Sequence, residues 1–242
     1  MRLEDWIDPR HLDPAAQAAF RSAYIASPHS SIVIDQFLRA DKFELLQLVF
    51  ATEGLFEERH YLWEWAGKGR SEKTVSAEAW HAAPESQRAF VERVFIAPRP
   101  EYRLGRGSLT HYKFVELLSS PELMGFLETV TGIRPRTLSG LLMRIMVGGQ
   151  YIPPHSDFQP IRDLCAVFYA SGGWQDGHGG RFRHCGPGAT LAPVEPLANR
   201  LLLFEPKPEA RHDVEPIASP DEPWQRWSYS IWFGRPEAAA RS

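Results

Sequence analysis

The second half of the chain constrains the fold most strongly, because its apolar residues come in short stretches separated by turn residues. From Arg136 onward, glycine- and proline-rich segments interrupt each apolar run. Several short strands with frequent turns are typical of an antiparallel barrel or sandwich. The stretches that we predict as strands are Thr137 to Val147, Ala166 to Ala170, Gly180 to Arg183, Arg200 to Phe204 and Trp227 to Phe233.

The first half, to about Pro135, is predicted to be mainly helical with one or two strands. Asp13-Pro14 places an N-cap residue before proline at the first helical position, which predicts a helix to about Ala26. The β-branched stretch Ser31 to Asp35 is predicted to be a strand. Further helices are predicted over 41–51, 76–96 with a break at Pro84, 109–118 and 121–131, and range 57–65 is predicted to be a strand or an aromatic-rich loop.

The chain is long and apolar enough for one large core. It has 242 residues, of which 43% are hydrophobic, and no low-complexity linker separates its halves. We therefore predict a single domain, 1–242, in which residues 1–135 form a helical supporting layer and residues 136–236 form the β-rich core.

Charge and cysteine content limit the partners and the compartment that we expect. The net charge of −3 and the lack of a basic run argue against nucleic-acid binding. No apolar run approaches the roughly 20 residues that span a bilayer, and the first residues lack the apolar core of a signal peptide. Cys165 and Cys185 are too few for a disulfide framework and are predicted to be reduced and structural. We expect a cytoplasmic protein without a membrane partner.

The polar residues with the clearest chemical meaning are His155 and Asp157. They follow the apolar run Leu141 to Val147 and the turn Gly148 to Gln150, so we place them at the mouth of a strand, where side chains two apart point the same way. A second imidazole, for which His212 is the candidate, would complete a facial triad. Two histidines and one carboxylate leave three adjacent coordination positions open, as in non-haem Fe(II) oxygenases. Histidines without partners at ligand spacing are predicted not to bind metal: His60, His81, His111, His178 and His184.

Six segments between residues 141 and 233 carry motifs in a fixed order. They are Tyr151 to Asp157, Cys165 to Ala170, Trp174 to Gly180, Arg200 to Phe204, His212 to Val214 and Arg226 to Phe233. In this order they resemble the Fe(II)/2-oxoglutarate-dependent oxygenases, specifically the prolyl-4-hydroxylase-like branch. The resemblance implies an α+β fold with a double-stranded β-helix (jelly-roll) core that the N-terminal helices buttress.

The same resemblance implies a reaction. Fe(II), held by His155, Asp157 and His212, would act with 2-oxoglutarate and O2 as co-substrates and with ascorbate as a candidate reductant. Hydroxylation of an unactivated C–H bond would release succinate and CO2. Related halogenases have a small residue where this chain has Asp157, so the aspartate favours hydroxylation. The implied substrate is a prolyl or other amino-acid residue, a free amino acid or a small metabolite, and the sequence leaves open which.

The resemblance also places 2-oxoglutarate against the last core strand. Arg226 would clamp its far carboxylate bidentately, and Ser228 shares the same strand face. Tyr169 would reach the co-substrate from a neighbouring strand. Further candidates for this contact are Tyr151 and Arg144, and the alternatives to Arg226 as the clamp are Arg200 and Arg235.

Two other classes of function stay open from the sequence. One is a catalytically silent, cupin-like binding module that keeps the jelly roll and a metal or ligand. The other is a hydrolase or isomerase that uses the same three ligands around zinc or manganese. A binding module does not need both a complete metal triad and a basic residue for the co-substrate, so the presence of both disfavours this class.

The sequence also offers candidates for substrate contact. They are the aromatic residues Trp63, Trp65 and Trp174 and the cations Arg59, Arg162 and Arg181.

Overall fold

The computed structural model describes residues 1–66, 69–186 and 191–236. Helices and antiparallel strands alternate along the first half, and strands dominate the second half. The helices are α1 Pro14–Ala26, α2 Ala40–Leu48, α3 Ala77–Ala82, α4 Arg106–Leu118 and α5 Pro121–Thr131. The strands are β1 Ser31–Ile34, β2 Gly54–Ala66, β3 Gly69–Val75, β4 Arg88–Pro98, β5 Thr137–Met146, β6 Ile152–His155, β7 Arg162–Tyr169, β8 Phe182–His184, β9 Arg200–Phe204, β10 His212–Val214 and β11 Arg226–Gly234.

The strands form two antiparallel sheets, which confirms the predicted jelly-roll type of core. The larger sheet has eight strands in the order β1-β9-β7-β11-β5-β4-β2-β3, and the smaller has three in the order β6-β10-β8. The two sheets do not close into a barrel. The smaller sheet covers only part of the larger one, so the space between them can hold a ligand.

Both faces of the larger sheet are buried in its centre. Along β7, Leu164 and Phe168 belong to the main core that includes residues of the helices, whereas Cys165 and Tyr169 belong to a second cluster with Phe182 of the smaller sheet. Because successive side chains of a strand point to opposite faces, β7 separates the helical layer from the inter-sheet space. This two-sided burial explains why β7 is an almost continuous apolar run.

Local signals set the start of α1 and the end of α5 as predicted, whereas α2 spans Ala40–Leu48 instead of 41–51 and α4 begins at Arg106 instead of Leu109. The Asp13 side chain accepts hydrogen bonds from the backbone N–H groups of Ala15 and Ala16, which begins α1 at Pro14. Gly132 ends α5 in the left-handed conformation, with φ of 74°. In the described ranges, none of the helices combines the length and apolarity that crossing a membrane requires.

The predicted helix over 76–96 is wrong beyond Ala82. Helix α3 ends there, and Arg88–Pro98 forms β4 between β5 and β2. The apolar residues at 90–91 and 94–96 recur about every four positions, which mimics the period of a helix. The first half therefore holds four strands, of which β2, β3 and β4 extend the larger sheet beyond β5.

The two cysteines are both free, as predicted, but they differ in environment. Cys165 is buried between the sheets, whereas Cys185 is exposed. Cys185 is therefore not the structural residue that the sequence suggested.

Candidate active site

The smaller sheet brings the predicted metal ligands together. Strands β6 and β10 pair so that His155 lies directly opposite His212. Asp157 comes from the segment after β6, which ends at His155, so the two residues are not strand neighbours as predicted. The His212 Nε2 atom lies 3.5 Å from Asp157 Oδ2, and the His155 Nε2 atom lies 4.0 Å from Asp157 Oδ1. Ligand atoms from all three residues lie within 4.8 Å of one another, so one ion can contact them all.

Backbone carbonyls orient both imidazoles. The His155 Nδ1 atom lies 2.9 Å from the Pro153 carbonyl oxygen, and the His212 Nδ1 atom lies 3.3 Å from the Ala210 carbonyl oxygen. Because a carbonyl oxygen only accepts, we assign the proton of each ring to Nδ1, which leaves Nε2 with a lone pair for a metal. Two imidazole nitrogens and one carboxylate oxygen fit the ligand preferences of Fe(II).

The protonation states of the triad also suit a metal. Burial, together with the neighbouring His212, lowers the pKa of His155 to about 4, so its ring is neutral at pH 7. Burial alone would raise the pKa of Asp157, but its contact with His212 outweighs burial and lowers the pKa to about 2, so the carboxylate is ionised at pH 7. Across the described ranges, these three residues form the one group of three or more His, Cys, Asp or Glu side chains arranged to hold a metal.

The larger sheet contributes a buried cation, Arg226, whose side chain is 1% exposed. Its Nε donates to the Gly180 carbonyl oxygen at 2.9 Å, and its Nη1 donates to Ser228 Oγ at 2.9 Å. The guanidinium carbon lies 5.0 Å from the centroid of the Tyr169 ring. Arg226 has no carboxylate within ion-pair distance in the part of the chain that the structure describes. Burial lowers the pKa of Arg226, but a guanidinium stays charged, so this position favours an anionic ligand.

Strand register places Ser228 between two predicted contact residues. Ser228 of β11 pairs with Tyr169 of β7 on one side and with Arg144 of β5 on the other. Paired residues share a sheet face, so the three side chains point into the inter-sheet space. The Tyr169 hydroxyl is buried without a hydrogen bond of ordinary geometry, and burial raises the pKa of Tyr169, which keeps the hydroxyl protonated.

A cavity of about 230 Å³ joins the triad to Arg226. Both sheets line it, because His155 and His212 come from the smaller sheet and Arg144 and Arg226 from the larger one. Ser228 and Tyr169 do not reach the cavity surface. Ser228 bonds to the guanidinium of Arg226, and the Tyr169 ring lies against it. The volume is below the roughly 300–1,000 Å³ of most ligand pockets, so this cavity suits small molecules.

One of the predicted substrate anchors, Arg162, lines this cavity. Its Nη1 donates to the Asp157 carbonyl oxygen at 3.1 Å and lies 3.6 Å from Asp157 Oδ1. Its guanidinium carbon lies 4.5 Å from the centroid of the Trp232 ring. These contacts hold the side chain of Asp157, the predicted metal ligand, in place.

The structure places the other candidates elsewhere. Trp174 stacks on Arg181, which is paired with Glu215 at 3.1 Å, and neither lines the cavity. Trp63 and Arg59 of β2 are also absent from its lining, and the side chain of Trp65 lies outside the described residues. The alternative clamps are ruled out by position. They lie in ion pairs away from the cavity, Arg200 with Asp35 and Arg235 with Asp163, and Tyr151 is exposed and lines an adjoining cavity.

Two residues that line the cavity were missed from the sequence. Glu72 of β3 and Phe90 of β4 reach it from the sheet extension. The region of Phe90 was predicted to be helical, and Glu72 had no neighbouring polar residue at informative spacing. The enrichment of β-branched and aromatic residues around Val91, Val94 and Phe95 is the signal that could have identified β4.

Comparison with known proteins agrees with this geometry. Residues 141–234 match the family model of the 2OG-Fe(II) oxygenase superfamily. No curated protein shows significant similarity to the sequence.

Solved structures share the fold over nearly the whole chain. A prolyl-4-hydroxylase from Pseudomonas putida is 17% identical with a TM-score of 0.54, covering 91% of this chain and 99% of that one. A prolyl hydroxylase from Trichoplax adhaerens, in complex with a peptide fragment of the hypoxia inducible factor oxygen degradation domain, is 13% identical with a TM-score of 0.61, covering 96% and 94%. A 2OG-Fe(II) oxygenase family oxidoreductase from Burkholderia pseudomallei is 14% identical with a TM-score of 0.58, covering 91% of each chain. The segment that matches the family model contains the whole triad and Arg226. Residues 141–234 are thus similar to the 2OG-Fe(II) oxygenase superfamily, and the chain has the fold of the prolyl-4-hydroxylases.

Proposed function

We propose that this protein hydroxylates an unactivated C–H bond of a prolyl or other amino-acid residue, a free amino acid or a small metabolite, with release of succinate and CO2. His155, Asp157 and His212 are the proposed Fe(II) ligands. Arg226 is the proposed partner of the far carboxylate of 2-oxoglutarate. The observation that carries the proposal is one small cavity that contains both the triad and a buried, unpaired guanidinium.

The residues of the chain prepare this chemistry before any ligand binds. When bound, iron with 2-oxoglutarate and O2 supplies the oxidation that converts C–H to C–OH, coupled to oxidative decarboxylation of 2-oxoglutarate. The carbonyls of Pro153 and Ala210 hold both imidazole rings with Nε2 free. Arg162 holds Asp157. The two sheets form opposite walls of the cavity.

On the opposite wall, Arg226 is proposed to orient the co-substrate. A charged guanidinium makes short, strong hydrogen bonds to a carboxylate. Ser228 and Tyr169 are proposed to fix Arg226 and to complete the co-substrate site, because both contact its guanidinium from the buried side. Loss of either should loosen 2-oxoglutarate binding without removing iron.

The test combines iron binding, co-substrate turnover and product analysis. Purified protein is loaded anaerobically with Fe(II) and 2-oxoglutarate, and the weak visible charge-transfer band of the complex is recorded. Air is then admitted with ascorbate as reductant, and succinate and the hydroxylated product are quantified by mass spectrometry for free amino acids and prolyl peptides. Formation of the band followed by equimolar succinate and alcohol is the expected result. A protein that binds a metal but shows neither band nor succinate would instead be a silent binding module or a zinc or manganese enzyme.

We further propose a cytoplasmic location and a substrate that is not nucleic acid. The net charge of −3 disfavours a polyanion, and a chain with two free cysteines suits a reducing compartment. Subcellular fractionation with an antibody against the protein tests the location.

A further inference from the structure

A second guanidinium in the cavity, that of Arg144, is held in a fixed orientation by a buried network. Arg144 of β5 forms an ion pair through Nε with Glu92 of β4, whose side chain is 3% exposed. The Tyr61 hydroxyl of β2 donates to the other Glu92 oxygen at 2.9 Å. Burial and the Glu92 charge raise the pKa of Tyr61 to about 12, so it remains a donor. Three adjacent strands therefore orient this cation.

The network leaves the far end of Arg144 free. Its two terminal nitrogens have no hydrogen-bond partner in the described ranges, and the residue lines the cavity that contains the triad. A guanidinium has five N–H donors, and the Glu92 contact uses the one on Nε. The remaining donors are arranged for a carboxylate. Since Arg226 is the proposed partner of 2-oxoglutarate, Arg144 is available to a second molecule.

The same cavity is also lined by a carboxylate, that of Glu72, which has no ion-pair partner among the described residues. Glu72 of β3 lines the cavity and is exposed to solvent, and no Lys, Arg or His nitrogen lies within 4.0 Å of it in the part of the chain that the structure describes. Burial and the nearby Glu92 charge raise the pKa of Glu72. A cationic ligand would relieve this repulsion. The cavity thus presents one free guanidinium and one free carboxylate beyond the metal and co-substrate sites.

We propose that Arg144 and Glu72 bind the carboxylate and the ammonium group of a free α-amino acid, which makes this zwitterion the substrate class. This inference rests on the proposed function and narrows it. A residue inside a peptide has neither charge and would leave both groups without a partner. A cavity of about 230 Å³ suits a small substrate beside 2-oxoglutarate. A peptide would have to extend into the adjoining cavity of about 450 Å³, which shares Phe90 with the first.

The test measures substrate-stimulated succinate formation. The loaded holoenzyme is assayed with the twenty protein L-amino acids, and each active one is compared with its carboxamide, its N-acetyl derivative and its N-acetyl carboxamide. The proposal predicts that at least one free amino acid stimulates succinate formation and that loss of either charge raises its KM about ten- to a hundred-fold. Stimulation by internal prolyl peptides but by no free amino acid would overturn it. Equal KM values for the acid and its amide would also overturn it.

Separate substitutions of Arg144 and Glu72 test which residue binds the carboxylate of the substrate and which binds its ammonium group. In Arg144→Met the preference for the free acid over the amide should disappear, whereas Arg144→Lys should keep part of it. In Glu72→Gln the preference for the free amine over the N-acetyl derivative should disappear. Arg93→Met, on the opposite face of β4, and Glu64→Gln, on the opposite face of β2, are the matched controls and should keep both preferences.

Two readouts separate failure of this inference from failure of the proposed function. The anaerobic charge-transfer band reports iron and 2-oxoglutarate binding without any substrate, and every variant must retain it. Since Arg144→Met leaves Glu92 unpaired, the double variant Arg144→Met with Glu92→Gln provides a second test of the same charge. If the band persists but Arg144→Met raises the KM for 2-oxoglutarate and leaves the acid-to-amide preference intact, Arg144 serves the co-substrate and the inference is wrong. If wild-type protein lacks the band, the proposed function itself fails.

Discussion

The two walls of the cavity differ in the charge of the ligand that each would bind. On the wall of the smaller sheet, the nitrogens of His155 and His212 that do not face the cavity are already bonded to carbonyls, and the triad is neutral or paired. On the wall of the larger sheet, Arg226 is buried without a counter-ion and Arg144 keeps free donors. Among the described residues, the triad lacks a cation, whereas Arg226 and the terminal nitrogens of Arg144 lack anions. A metal and a dicarboxylate would therefore satisfy the triad and Arg226 together.

The largest expected effect comes from removing a ligand from the smaller wall. His212→Ala should weaken Fe(II) binding by more than about 100-fold, because loss of even an outer partner of a ligand costs 10- to 100-fold. Isothermal titration with Fe(II) under anaerobic conditions measures the affinity. His81→Ala, in exposed α3, is the control and should bind iron like wild type. Undiminished iron binding by the His212 variant would place the metal elsewhere.

The next effect concerns the larger wall and has two parts. Arg226→Met should raise the 2-oxoglutarate requirement about ten- to a hundred-fold, since a hydrogen bond to a charged group contributes about 1.5–3 kcal/mol. The thermal midpoint of ligand-free protein should be unchanged or higher, because an unpaired buried charge opposes folding. Steady-state kinetics and calorimetry measure the two parts. Arg235→Met, half-exposed just beyond β11, serves as the comparison. A lower midpoint with an unaltered 2-oxoglutarate requirement would make Arg226 a structural residue.

A smaller effect is expected from a substitution at Gly180, whose carbonyl oxygen accepts a hydrogen bond from Arg226. Gly180 has a φ of +74°, and an added Cβ would lie 2.8 Å from Ile217 Cδ1 and 3.2 Å from Arg226 Cδ. Gly180→Ala should therefore cost about 1–2 kcal/mol of stability from the left-handed backbone alone and should raise the 2-oxoglutarate requirement several-fold. Gly125→Ala in α5, where nothing lies within 4 Å, should be neutral or stabilising. Denaturant unfolding of both variants checks the contrast in stability, and steady-state kinetics checks the 2-oxoglutarate requirement. An unchanged requirement in Gly180→Ala would show that the added Cβ does not disturb Arg226.

The smallest effect is a pH dependence of the metal-free protein. His155 has a folded pKa of about 4, against about 6.5 in the unfolded chain, so the unfolded state binds more protons between these values. Its contribution to stability is present above about pH 6.5 and is lost as the pH falls towards 4. His155→Gln should make urea unfolding less sensitive to a change from pH 7 to pH 5 by about 2 kcal/mol. An identical pH sensitivity in the variant would show that folding does not change the pKa of His155.

The sequence predicted the fold best where local chemistry decides it. Asp13-Pro14 and Gly132 set helix ends through their own backbone preferences, and the predicted strands of the second half follow short apolar stretches between turns. It failed at β4, where apolar residues about four apart imitate the period of a helix. The strand forms because Arg88–Pro98 pairs with β2 and β5, which the local sequence does not reveal.

The residues of the site also differ in whether the sequence could predict them. Ordered motifs identified the triad and Arg226, because metal and co-substrate chemistry fix those residue types. The partners of Arg144 could not be predicted, since Glu92 and Tyr61 meet it only through the pairing of β2, β4 and β5. Strand pairing at such separations is set by the whole fold. The structure was therefore needed to identify Arg144 as a candidate substrate-binding residue and to find the partners that orient it.

The most direct test of the two-wall account is an anaerobic crystal structure of the protein with Fe(II) and 2-oxoglutarate. The account predicts iron bound to His155 Nε2, His212 Nε2 and an Asp157 carboxylate oxygen, with the far carboxylate of 2-oxoglutarate on Arg226. Iron bound by other residues, or a co-substrate carboxylate that leaves Arg226 without an anion, would contradict it.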